Sequence, residues 1–198
     1  MNMNEAKHTG FSAFLFVVLT AGICSATAQA GSEFDLPEGW VPVGDSREAY
    51  HLEISEEAGR EGRGLRIRSL DSEGGRFGGV AQLIAADDYA GERVRLSGYV
   101  RAMSVSGWAG LWLRVDGQNG NQVLAFDNMN NRPIRGDREW DRYEVVVDVS
   151  EEAGRVVFGA LLSGGGEIHV DAMELEVVDE SVPLTRGLPP RQPRNMSF

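Results

Sequence analysis

Between Val94 and Asp116 the chain keeps a two-residue rhythm. The run Val94-Arg95-Leu96-Ser97-Gly98-Tyr99-Val100-Arg101 alternates apolar and polar side chains, and Ala109, Leu111, Leu113 and Val115 alternate with Gly110, Trp112, Arg114 and Asp116. A helix returns a side chain to one face every three or four residues, whereas a strand does so every two. The rhythm therefore commits this stretch to strands with one face buried. It recurs at Leu65-Arg66-Ile67-Arg68, at Tyr143, Val145, Val147 and Val149, at Val156, Phe158, Ala160 and Leu162, and at Ile168 and Val170. Gly-rich turns such as 116–120 and 164–166 punctuate it. The pattern predicts about ten strands between Gly31 and Asp179 and no sustained helix. Strands spaced this regularly point to an all-β fold, a β-sandwich of two antiparallel sheets, and not to an α/β sheet.

The 198 residues suffice for one ordinary domain. With 42% hydrophobic residues the chain is too apolar to be disordered. Nineteen Lys and Arg against thirty Asp and Glu leave a net charge of −11. Such a surface repels phosphate backbones, which argues against nucleic acid as a partner.

The first thirty residues carry their own signal. Lys7 and His8 precede an apolar run, Phe11 to Leu19, and small residues lead to Ala28-Gln29-Ala30. A basic start, a short apolar stretch and an Ala-x-Ala site predict a secretory signal peptide over 1–30. The clean apolar run is shorter than the roughly 20 residues that a membrane anchor needs. Cleavage would remove Cys24, the one cysteine, and leave no disulfide, thiol nucleophile or cysteine metal site. The expectation is a periplasmic or secreted protein with no stable membrane insertion. Its β-sandwich domain would span 31–180. Residues 181–198, with four prolines, three arginines and no acid, read as a mobile tail.

One hexapeptide occurs twice, as Ser55-Glu56-Glu57-Ala58-Gly59-Arg60 and as Ser150-Glu151-Glu152-Ala153-Gly154-Arg155. Ser caps, Glu suits a positive first turn and Gly permits a left-handed exit, so each copy predicts one helical turn between strands.

Three stretches carry a family resemblance. They are Leu96 to Arg101 followed by Gly107 to Asp116, Leu124 to Met129 with Arg132 to Gly136, and Trp140 to Glu144 running into Phe158 to Gly164 and Ile168 to Asp171. Together they resemble the accessory β-sandwich domain attached to some bacterial helix-turn-helix regulators and to some secreted peptidases. Their order is also similar to jelly-roll carbohydrate-binding modules of the galactose-binding-like superfamily. The resemblance covers about residues 34–178 and implies a jelly roll. Neither a helix-turn-helix nor a peptidase domain accompanies it in this sequence. For sugar binding the fold is an analogy, since such folds host many functions.

Alternation sorts the central residues. With Val94, Leu96, Val100, Leu111 and Leu113 inward, Tyr99, Arg101, Trp108, Trp112 and Arg114 point out, on what read as two neighbouring strands. Aromatic rings stack on the apolar face of a sugar, and guanidinium groups bind hydroxyls or carboxylates. Asp127 and Asn128, at the end of the next strand, would supply acceptors and donors at the rim. The competing reading is structural: Trp112 covered by the 128–136 loop, with Arg114 and Asp127 paired beneath it.

The resemblance further implies a structural calcium between the first and last strands. Glu33 or Asp35 with Asp171 would be its ligands, unless Asp171 merely caps a turn. No other cofactor is required. Catalytic patterns are poor. Beyond the leader the histidines are His51 and His169, and no serine is placed to join His169 and Asp171. Ser163-Gly164-Gly165-Gly166 is not a nucleophile elbow, and no Walker loop, dinucleotide fingerprint or zinc spacing occurs. The sequence therefore reads as an exported, non-catalytic binding domain with a carbohydrate or glycan-like ligand. The alternative is a structural or protein-interaction domain of the cell envelope; a hydrolase ranks third.

Overall fold

The computed structural model describes residues 36–44, 47–70 and 76–185. The expected leader, the Glu33 and Asp35 ligands and residues 186–198 of the expected tail lie outside the described residues. Nine strands follow in order: β1 (Trp40–Gly44), β2 (Tyr50–Ser55), β3 (Gly64–Ser69), β4 (Phe77–Ala85), β5 (Arg93–Gly117), β6 (Val123–Asp127), β7 (Ile134–Asp148), β8 (Ala153–Ser163) and β9 (Glu167–Val178). The helix among the described residues is a three-residue 3-10 turn, Arg47–Ala49. No helix there is long and apolar enough to cross a membrane.

All pairings are antiparallel, and they join the strands into one sheet of order β1-β4-β8-β5-β9-β3-β2, with β6 and β7 also on β5. The all-β antiparallel jelly roll stands as expected, but the two sheets are one hydrogen-bonded sheet curved nearly into a barrel. The reason lies in β5. The runs 94–101 and 109–116, read as two neighbouring strands, are the two halves of a single 25-residue strand. Its first half pairs with β7 and β9, and its second half pairs with β6 and β8. Between them the register with β7 slips three times from Val100 to Ala109, and Ser104 takes a left-handed backbone, φ 52°. The slip changes the parity of the inward residues. Val94, Leu96, Val100 and Ala102 face the core before it, and Val105, Ala109, Leu111, Leu113 and Val115 after it.

One core collects both halves. Leu52, Leu65, Ile67, Ile168 and Val170 meet Val80, Val156, Phe158, Ala160 and Leu162 there. The alternation read from the sequence therefore places these inward residues correctly.

The repeated hexapeptides build matching turns without a helical turn. Ser55 Oγ accepts the Glu57 N–H and Ser150 Oγ accepts the Glu152 N–H, each at 3.2 Å. The Ala58 and Ala153 N–H groups close the turns on the Ser55 and Ser150 carbonyls. Neither Gly59 nor Gly154 is left-handed. Glycine is needed there for room, because a Cβ would stand 2.4 Å from Arg63 O or 2.5 Å from Gln118 Cα. The start of the expected tail is also docked. Thr185 Oγ1 accepts the Val146 N–H at 2.8 Å, and Arg93 Nη1 donates to Val182 O at 2.8 Å.

Candidate functional site

The second half of β5 presents Trp108, Gly110, Trp112, Arg114 and Asp116 away from the core. Register sets beside them Leu161, Gly159, Val157 and Arg155 of β8, then Ala81 and Leu83 of β4, and then Val41 and Val43 of β1. On the other flank Phe126 lies opposite Arg114 and Val123 opposite Asp116. Ala81, Trp112, Val157 and Leu161 are buried as a second apolar cluster, against which Val43, Trp108 and Phe126 pack. Val41, Leu83 and Val123, three of the five exposed large apolar residues among those described, extend it. The turn after β6 approaches this face at Gly110, where a Cβ would stand 3.0 Å from Met129 Cβ and 3.3 Å from Asn128 O. The centre of the face is closed to solvent, and its accessible apolar groups are the half-buried Trp108 and Phe126 with Val41, Leu83 and Val123 around them.

The charged edge is built by β5 and β8. Arg114 Nη2 and Arg155 Nε donate to Asp116 Oδ2 at 3.0 and 2.8 Å. Arg114 Nε stands 3.0 Å from Asp116 Oδ1, off the line a hydrogen bond needs. Asp116 is 1% exposed and lies between these two guanidinium groups. The Trp112 indole Nε1 is buried without an acceptor.

Sequence reasoning missed Asp116, Phe126 and Arg155 here. Asp116 shares the parity of Trp112 and Arg114, but it sits where a turn signal begins. Arg155 closes the second hexapeptide and read as a turn residue.

The predicted site residues do not form one surface. Trp108, Trp112 and Arg114 share this face, and Trp112 is only 5% exposed. It packs among the residues of its own face. Tyr99 and Arg101 belong to the other half of β5, beside Arg142 of β7 and Asp171 and His169 of β9. The Tyr99 ring is covered by the Arg60 guanidinium, 3.8 Å from its centroid, and Arg101 Nε lies 3.8 Å from Glu139 Oε2.

Asp127 is not at a rim. It pairs across from Leu113, on the inward face, with no exposure. It accepts from Arg132 Nη2 (2.8 Å), Arg132 Nη1 (3.1 Å), Thr185 Oγ1 (2.7 Å) and the Met129 N–H (2.9 Å). Burial pushes its carboxyl pKa up, but these donors outweigh burial and hold it below the ordinary value. The structural ion pair foreseen for Asp127 exists, but with Arg132 and not with Arg114. Asn128, also buried, turns its Oδ1 to the Asn130 N–H at 3.3 Å. Both residues shape the β6–β7 turn.

For calcium, the Asp171 oxygens already accept the Arg60 N–H (2.9 Å) and the Ala172 N–H (2.7 Å). No cluster of three metal-ligating side chains occurs among the described residues. His169 pairs with Glu167, Nε2 to Oε1 at 2.6 Å, and not with Asp171.

No family model matches the chain. Among curated proteins it is similar to the uncharacterized HTH-type transcriptional regulator YbfP of Bacillus subtilis (strain 168), 38% identical over 167 residues. The match covers 81% of this chain and 56% of YbfP, so the chain spans about half the length of the curated relative it matches. Among solved structures, the enzymatically active domain of bacteriophage CBA120 tailspike protein 4 aligns with a TM-score of 0.56 and 14% identity, over 71% of this chain and 20% of that one. The N-terminal CBM22-1–CBM22-2 tandem domain of Paenibacillus barcinonensis Xyn10C gives 0.51 and 17%, over 72% and 43%. The CBM22-1–GH10 modules of Clostridium thermocellum Xyn10B, complexed with xylohexaose, give 0.50 and 13%, over 75% and 28%. These structures share the fold, a jelly roll like that of carbohydrate-binding modules. The similarities to a helix-turn-helix regulator and to carbohydrate-binding jelly rolls, read from the sequence, both hold.

Proposed function

We propose that this jelly roll is a non-catalytic binding module, exported by its leader, that takes a carbohydrate on the outward face of β1, β4, β8, β5 and β6. One observation carries the reading: a contiguous apolar face on which the rings of Trp108 and Phe126 stay half-buried, edged by the Arg114–Asp116–Arg155 network. Rings at such a depth offer a flat surface to a sugar, and the network orients guanidinium donors beside it. The fold shared with carbohydrate-binding modules supports the ligand class. The basic start, apolar run and Ala-x-Ala motif of residues 1–30 support export.

A second reading is favoured by Val41, Leu83 and Val123. Their exposed aliphatic side chains suit a protein partner better than a sugar. Retention on a panel of polysaccharide gels, xylan among them, decides between the two. The sugar reading expects the folded protein to be retarded and Trp108→Ala to abolish retardation with the circular dichroism unchanged. A folded protein retarded by no polysaccharide overturns it in favour of the protein-facing reading.

A further inference from the structure

The path of paired strands starts at β1 and ends at β2, and the edges of these two strands leave a seam unclosed. A hollow of about 410 Å³ lies along it. Trp40 of β1 and Val80 of β4 line one side, and Ile54, Leu65, Val170 and Met173 of β2, β3 and β9 line the other. The Trp40 ring is fixed by an edge-on contact with Phe158, centroids 5.9 Å apart at 87°. Size and lining match a small-molecule pocket: apolar walls for a desolvated body, with a few polar groups to orient it.

Two charged residues also line the hollow, Arg63 and Asp171. They are not equally available. Asp171 is engaged through both oxygens by backbone N–H groups, and Ala172 beside it holds a left-handed backbone, φ 48°. Arg63 meets Glu56 at 3.3 Å, with the two side chains 67% and 79% exposed. An ion pair that open is weak and readily exchanged. Among the described residues the hollow thus combines an aromatic and aliphatic wall with the available Arg63 guanidinium.

We propose that the seam is a second binding site, distinct from the outward face, for a small carboxylate with an apolar body of one or two rings. The body enters between Trp40 and the β2–β3–β9 wall, and the carboxylate takes Arg63 in place of Glu56. The acidity of the chain as a whole makes this local cation the discriminating feature.

The test titrates the full chain with 2-naphthoate, followed by calorimetry and by the indole N–H resonances, with Trp40 assigned through Trp40→Phe. Saturable one-to-one binding is expected by about millimolar ligand, with the Trp40 resonance shifted and those of Trp108 and Trp112 still. The neutral 2-naphthalenemethanol should bind about three- to fivefold more weakly, the scale of one exposed ion pair. Arg63→Ala should erase that difference while leaving the alcohol's affinity unchanged. Trp108→Ala should leave naphthoate binding intact, whatever the polysaccharide gels report. No saturation, a shift at Trp112 instead of Trp40, a preference that survives Arg63→Ala, or tighter binding of 2-naphthylmethylamine would each overturn the proposal.

Discussion

Asp127 has no contact with solvent, and burial by itself would push its proton affinity up. Two Arg132 donors, the Thr185 hydroxyl and the Met129 N–H reverse that. The carboxylate thereby ties the β6–β7 turn and the segment after β9 to the inward face of β6. Asp127→Asn keeps the shape but leaves Arg132 without its counter-charge. Breaking a buried pair from one side costs about 3–5 kcal/mol, and the 30% exposure of Arg132 softens this. We expect a loss of about 2–4 kcal/mol, read as a lower urea midpoint at unchanged slope. An unchanged midpoint would mean that the turn holds without its anion. In the sequence Asp127 read as a rim ligand because it ends a strand beside Asn128. The signal that would have placed it correctly, Arg132 five residues on and Thr185 fifty-eight on, exists only once the chain is folded.

The strand β5 explains most of what was legible and most of what was not. Its inward and outward residues followed from alternation, because side-chain direction in a strand is local. Its continuity did not follow. The rhythm breaks between Ala102 and Ala109, and a broken rhythm reads as two strands with a connection. In the fold the break is a corner at which one strand passes from the β7–β9 side of the core to the β6–β8 side. That is why Tyr99 and Arg101 part from Trp108, Trp112 and Arg114. Ser104 takes the left-handed backbone at this corner, which costs an L-residue roughly 1–2 kcal/mol. Its N–H still donates to Asp137 Oδ1 at 2.7 Å, a bond that survives any side-chain change. Ser104→Gly should therefore stabilise the corner by about 0.5–1 kcal/mol, after the added chain entropy of glycine. A higher melting temperature is the expected result. A lower one would show that the serine side chain contributes more than the strain removes.

Across the whole molecule the net charge of −11 and the carboxylates held below their ordinary pKa act together. Glu53 is lowered by hydrogen bonds from Arg66 and His51. Glu167 is pushed up by burial, but hydrogen bonds with His169 and Arg66 bring it below the usual value. Asp127 behaves likewise, and Asp179 is lowered by Ser181. These groups span β2, β9, β6 and the segment after β9, so they bind both halves of the sheet. For each, the folded state holds the proton less tightly than the unfolded chain, whose carboxylates titrate near 3.9–4.3. The unfolded chain then takes up more protons as pH falls, and stability falls with it. Their contribution is complete above about pH 5 and is lost as pH drops through the lowered folded values. Urea midpoints at pH 7, 5, 4 and 3 should show little change from these groups between the first two and a steep decline below about pH 4. Asp127→Asn, which removes one of them, should start lower at pH 7 and decline less. Parallel declines in the two proteins would show that Asp127 titrates the same way folded and unfolded.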